Sequence, residues 1–178
     1  NTPPPTPPHV TPTRPPRGPE TTPPAERPDH LDMGEWDRMR SEFVRGECFD
    51  FLRPHGFVQT TEALQPFVDE HDIDALKRKD PLTAVRTLSE TIYSAFEYQP
   101  GVTDADSPID LALSAGRGVC QDFAHIMLAV CRGWGVPARY VSGYLFTDRE
   151  AGDRSDPAAT HAWAASWPLQ PAAHGTVA

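Results

Sequence analysis

Covalent chemistry is most readily placed at Gly118-Val119-Cys120-Gln121-Asp122-Phe123-Ala124-His125. Glycines let the backbone turn sharply just before Cys120, and the apolar run after it predicts a helix that opens on that cysteine. The first amides of a helix have no partner within it, and its dipole favours negative charge there. A thiol at such a place is biased toward thiolate, the form that attacks carbonyl carbon. The same amides can donate to the oxyanion of a tetrahedral intermediate. On these residues alone two readings stand: an activated nucleophile, or a small cysteine packed like any apolar side chain.

A thiolate needs a base that becomes its cationic partner. Of seven histidines, His9 and His30 fall in a proline-rich start, His55 and His71 in polar or turn-like surroundings, and His174 near the end. His125 follows Cys120 by five residues, which turns it well around the helix and makes it structural. His161 opens a strand-like run, with Trp163 two residues on and so on the same face. A cysteine at a helix start with a histidine on a later strand is the papain-type arrangement, although an ordinary strand-edge histidine would read the same way. Cys120, Asp122 and His125 match no common zinc spacing, so no metal and no cofactor is expected. Cys48 and Cys131 lie among apolar neighbours and read as core.

The elements that must hold these residues follow from periodicity and capping. Trp36, Met39, Phe43 and Val44 fit one side of a helix, and Leu64, Phe67 and Val68 suggest another within 61–78. Asp80 is placed as an N-cap with Pro81 in the first helical position; Leu82, Val85, Leu88, Ile92 and Phe96 follow at helical spacing until Pro100-Gly101. A short helix is predicted over 109–114, a break at Gly116-Arg117-Gly118, and a helix from Cys120 to about Trp134, stopped by Gly135 and Pro137. Residues 139–146 and 160–163 read as strands joined by a polar loop. Helices first and strands after give an α+β order.

Residues 1–30 contain twelve of the 21 prolines and read as a disordered, polyproline-like tail. That leaves a single folding unit over 31–163 and an atypical segment over 164–178. The net charge of −9 opposes a nucleic-acid partner, which requires a basic face. No apolar run approaches the roughly 20 residues a membrane helix needs, so no membrane partner is expected. Three cysteines without a short paired spacing suit free thiols and a reducing, cytoplasmic setting.

The run GVCQDFAHIMLAVCRGWGVPARYVSGYL, residues 118–145, closely resembles the core of the bacterial transglutaminase-like superfamily. His161-Ala162-Trp163 is similar to that family's HAW segment, and 50–54 and 96–103 resemble its helical lead-in. The resemblance spans about residues 36–163. It implies a papain/transglutaminase-like core, with helices packed on a small antiparallel sheet. Cys120 would be the nucleophile and His161 the base, with Gln121 and Trp163 as oxyanion or nearby support. The implied reaction is acyl transfer from a glutamine side chain or another amide through a thioester, then to an amine or to water. The implied substrate is a peptide or protein carrying glutamine or amide groups.

Two departures from the family pattern stand out. The family places an acid on the strand after HAW, in a segment resembling DPTN, to orient the imidazole. From Ala162 to Ala178 this chain has no Asp, Glu or Asn. At the front, a proline-rich tail stands where the family often carries a β-sandwich. These ends suggest a truncated or frame-altered chain, with a sheet cut short and activity impaired. The alternative is a catalytically inactive family member that binds peptides or serves as a scaffold.

Overall fold

The computed structural model describes residues 28–54, 56–104, 106–144 and 160–166. The expected N-terminal tail up to residue 27, the polar loop over 148–156 and the segment from 167 onward lie outside the described residues. Helices dominate, joined to a two-stranded antiparallel sheet and a two-residue parallel pair. The order is α1 (Glu35–Arg40), α2 (Glu42–Glu47), α3 (Phe49–Leu52), α4 (Leu64–Glu70), a 3-10 helix (Ile73–Arg78), α5 (Pro81–Ala95), β1 (Glu97–Tyr98), α6 (Ile109–Ala115), β2 (Arg117–Gly118), α7 (Cys120–Gly133), β3 (Ala138–Tyr144) and β4 (Thr160–Ser166). None of the described helices is long and apolar enough to cross a membrane.

Helix α5 starts where local chemistry dictates. The Asp80 carboxylate accepts from the amides of Leu82 and Thr83, both at 3.1 Å, and Pro81 occupies the first turn. Leu82, Val85, Leu88 and Ile92 are buried along one face. The helix ends at Ala95, earlier than Pro100-Gly101 suggested, because Phe96 turns extended and Glu97–Tyr98 pair in parallel with Arg117–Gly118. Strands are thus interleaved with the helices rather than following them all.

Two other expected helices are broken. Ser41 is extended and caps α2 by accepting from the Val44 amide, so 35–47 forms two short helices. Trp36, Met39 and Val44 are buried, but Phe43 on the opposite side is 77% exposed. The stretch over 61–78 breaks at Asp72, whose left-handed backbone (φ 47°) separates α4 from the 3-10 helix.

Helix α7 runs through the middle of the core. Ile126, Leu128 and Cys131 are fully buried, and Gly135 (φ 79°) lets the chain leave the helix toward β3. Burial pushes the Cys131 thiol up to about 12, as for an inert core cysteine. Cys48, read as core, is instead only half-buried at the α2–α3 junction. β3 and β4 pair antiparallel, with Tyr140 opposite Ala164 and Gly143 opposite His161. Ala162, Ala164 and Ser166 of β4 are buried, and β4 packs on α7, while His161, Trp163 and Ala165 alternate onto the other, half-buried face. At the tail of α7, Arg132 donates from Nε and Nη2 to the Ala138 carbonyl (3.0 and 2.8 Å) and from Nη1 to the Arg53 carbonyl (2.8 Å). That clamp ties the helix to the start of β3 and to the chain after α3.

Candidate active site

Cys120 occupies the first position of α7 and is half-buried. Val119 precedes it in extended conformation (φ −122°, ψ 177°). The first amides to bond back are those of Asp122 and Phe123, both donating to the Val119 carbonyl. The amides of Cys120 and Gln121 therefore have no backbone acceptor among the described residues. They are available beside the sulfur, as helix termini leave them.

What holds this helix start is a buried carboxylate that sequence reasoning did not single out for the role. Asp122 is 1% exposed; its Oδ2 accepts from the Val119 amide (2.8 Å) and from the Thr103 hydroxyl (2.5 Å). Asp122 Oδ1 is buried without a partner among the described residues. Thr103 lies nineteen positions away in the loop before α6, so no local motif announces the contact. The side chain of Gln121 donates to the Asp104 carbonyl at 2.7 Å and ties the helix start to the same loop. The Gln121 backbone amide, like that of Cys120, bonds to no backbone acceptor among the described residues.

Two tyrosines not anticipated from spacing pack against the side chains of α7: the Tyr98 ring lies 6.4 Å from that of Phe123 and the Tyr140 ring 5.0 Å from that of His125. Burial, and next the negative charge on Cys120, push both the Tyr98 and Tyr140 phenols up, with Asp122 adding to the effect on Tyr140. Both hydroxyls remain protonated donors across the neutral range. His125 sits between Phe57 (ring centroids 5.8 Å apart) and Tyr140 (5.0 Å). Burial pushes its imidazole down, with Asp122 pulling the other way and Arg132 reinforcing. A neutral, stacked ring agrees with a structural His125.

A cleft of about 620 Å³ opens beside Cys120 between α5, α7 and β4. Ile92 and Tyr93, Phe123 and Met127, and Ala162, Trp163 and Ala164 line it, so its walls are mostly apolar. Trp163 thereby joins Cys120 at one cavity. His161 is not among the lining residues; it lies on the same face of β4 as Trp163, half-buried, with its ring 6.4 Å from that of Trp163. Its Nε2 is buried and has no hydrogen-bond partner among the described residues, Cys120 included. The structure therefore brings Cys120, Gln121 and Trp163 together, and sets His161 on the adjoining strand without a bond to the sulfur.

Comparison with known proteins agrees with this architecture. The profile described as "Transglutaminase-like superfamily" matches residues 73–171, more than half of the chain. Uncharacterized protein Rv2569c of Mycobacterium tuberculosis is 37% identical over 162 residues, covering 88% of this chain and 48% of that protein. Uncharacterized protein ML0607 of Mycobacterium leprae is 42% identical over 92 residues, covering 51% of this chain and 33% of that protein. The chain spans about half the length or less of the curated relatives it matches. Among solved structures it is similar to "a Putative Cysteine Protease from Cytophaga hutchinsonii", with TM-score 0.56 and 27% identity over 71% of this chain and 41% of that one.

The chain belongs to the transglutaminase-like superfamily. Its α+β fold is of the papain/transglutaminase-like kind.

Proposed function

We propose that the domain carries out cysteine-dependent acyl transfer from the carboxamide of a peptide or protein, with Cys120 as nucleophile and His161 as base. The carrying observation is the sulfur at the head of α7, at the wall of an apolar cleft and beside two amides with no backbone acceptor among the described residues. The thiolate adds to the amide carbon, and the new oxyanion is received by the amides of Cys120 and Gln121. The C–N bond then breaks, the leaving amine takes a proton from His161, and a thioester to Cys120 remains. An amine or water then adds to the thioester carbon, giving its proton to the now neutral His161, and the C–S bond breaks to release the thiolate, which restores the starting pair. In this reading His161 Nε2 swings from its unpartnered seat to the sulfur when substrate fills the cleft; catalytic hydrogen bonds often tighten only in the complex.

The test offers a glutamine-bearing protein with a fluorescent primary amine, and in parallel measures ammonia release without the amine. Incorporation or release that Cys120→Ala abolishes supports the proposal; activity that persists in Cys120→Ala refutes it. One observation favours a second reading, a non-catalytic peptide-binding module: no hydrogen bond joins His161 to Cys120. That reading predicts peptide binding with neither amine incorporation nor ammonia release.

A further inference from the structure

At the opposite end of α7, about 18 Å along the helix from Cys120 at 1.5 Å per residue, lies a second cleft of about 400 Å³. It is lined by Arg40, Arg45, Lys77 and Arg132, with Trp134 and Leu52 as apolar walls, and no carboxylate among the described residues lines it. Such a concentration of positive charge is unexpected in a chain of net charge −9.

The four cations are not equivalent. Arg132 uses all three of its nitrogens in its clamp on the Ala138 and Arg53 carbonyls, so its guanidinium is held in place and contributes mainly a fixed charge. Lys77 pairs with Asp74 at 2.6 Å, the acidic group nearest this cluster that an ion pair identifies. Arg40 lies over the Trp36 ring, 5.6 Å from its centroid, and its stem covers Gly135. Among the described residues, neither Arg40 nor Arg45 has a carboxylate within salt-bridge distance. Two planar guanidinium groups thus stand ready in a concavity, a geometry suited to bidentate contact with phosphate oxygens.

A plainer explanation exists for each cation taken singly. Arg40, Arg45, Lys77 and Arg132 all fall in the last turns of their helices, where positive charge offsets the dipole. Dipole complementation does not require the four to converge on one cavity, and their mutual repulsion opposes it. An anion between them relieves that repulsion. At about 30 Å³ per water, the cleft has room for roughly a dozen waters, more than one tetrahedral ion needs.

We propose that this cleft binds a small organic polyanion bearing phosphate groups, held by Arg40 and Arg45 with Lys77 and Arg132 supplying background charge. This site is independent of the acyl-transfer reading, because none of its residues lines the Cys120 cleft.

The test titrates pyrophosphate into the full chain at constant ionic strength, following heat by calorimetry and melting temperature, with sodium chloride as reference. Saturable binding and a rise in melting temperature are expected for the wild type. Arg40→Gln with Arg45→Gln should weaken binding tenfold or more. Arg139→Gln, at an exposed position of β3 that does not line the cleft, should leave it unchanged. The proposal is overturned if pyrophosphate acts no differently from chloride, if Arg139→Gln weakens binding equally, or if the double variant binds as well as the wild type. Should the double variant unfold, Arg45→Gln alone decides the matter, since its side chain is exposed and several-fold weakening is expected.

Discussion

A Cβ placed on Gly118 would lie 2.7 Å from Asp122 Oδ2 and 3.1 Å from Asp122 Cβ. The glycine two residues before Cys120 is thus needed for close approach, and not for a left-handed backbone, which belongs to Gly116 (φ 65°). Gly118 leaves the room in which the Asp122 carboxylate reaches back to the Val119 amide and seats the head of α7.

Gly118→Ala is therefore expected to destabilise the chain by about 1–3 kcal/mol, the usual cost of overpacking. Asp122→Ala should cost about 2 kcal/mol by stranding the Val119 amide and the Thr103 hydroxyl. Urea denaturation measures both. If either variant matches the wild type, the carboxylate does not hold the helix start.

Alkylation of the native chain should rank the three thiols. Cys120 reacts fastest, half-buried at the wall of its cleft and beside amides with no backbone acceptor among the described residues. Cys48 is slower, because burial and next the Glu47 charge push its thiol up. Cys131 does not react until the chain unfolds, being fully buried and pushed up to about 12. Mass mapping after timed iodoacetamide treatment gives the order, and Cys48 ahead of Cys120 would contradict the nucleophile assignment.

Folding stability should decline as pH falls below 6.5. Burial holds the His125 imidazole below that ordinary value, so the unfolded chain takes up the proton first and stability is lost until the folded ring also titrates. The slope from one such proton is at most about 1.4 kcal/mol per pH unit. His125→Phe, which keeps a ring between Phe57 and Tyr140, should flatten the profile over that window. An unchanged profile would assign the acid sensitivity to other groups.

Asp80→Ala should cost about 1–2 kcal/mol through loss of the α5 cap, and the Leu31 amide loses its acceptor as well. Burial raises the Asp80 carboxyl, but its hydrogen bonds from Thr83, Leu31 and Leu82 outweigh that and hold it below 3.8. The cap's contribution is complete above that value and fades as pH falls further. Chemical denaturation at pH 7 and at pH 3 should show a smaller difference between variant and wild type at the lower pH.

How much of this was legible depends on how local each determinant is. The start of α5 and both ends of α7 were readable because Asp80, Pro81, Cys120 and Gly135 act within a few residues of themselves. The breaks at Ser41 and Asp72 were not: the apolar spacing continues through them, and the chain turns there to bring separate buried faces onto one core. The β1–β2 pairing joins segments about twenty residues apart through two backbone bonds, Glu97 N to Gly116 O and Gln99 N to Gly118 O, without any side-chain pattern. The position of Cys120 at the head of α7 could be read from the glycines and apolar run around it, whereas the cleft it shares with Trp163 needed the folded chain. The Thr103–Asp122 bond and the packing of Tyr98 and Tyr140 against α7 depend on how distant segments fold together, which spacing along the chain does not encode.

The Arg132 clamp has a mechanical consequence. Helix α7 is a rod of about 21 Å, tethered at its tail by three hydrogen bonds and at its head through Asp122. Hydrogen-bonded turns resist axial strain, so loosening at the tail is not absorbed along the way but passed forward as a rigid displacement. The Arg53 carbonyl thus fastens the loop after α3 to the same rod that carries the sulfur at its far end, and the Ala138 carbonyl fastens the sheet to it as well.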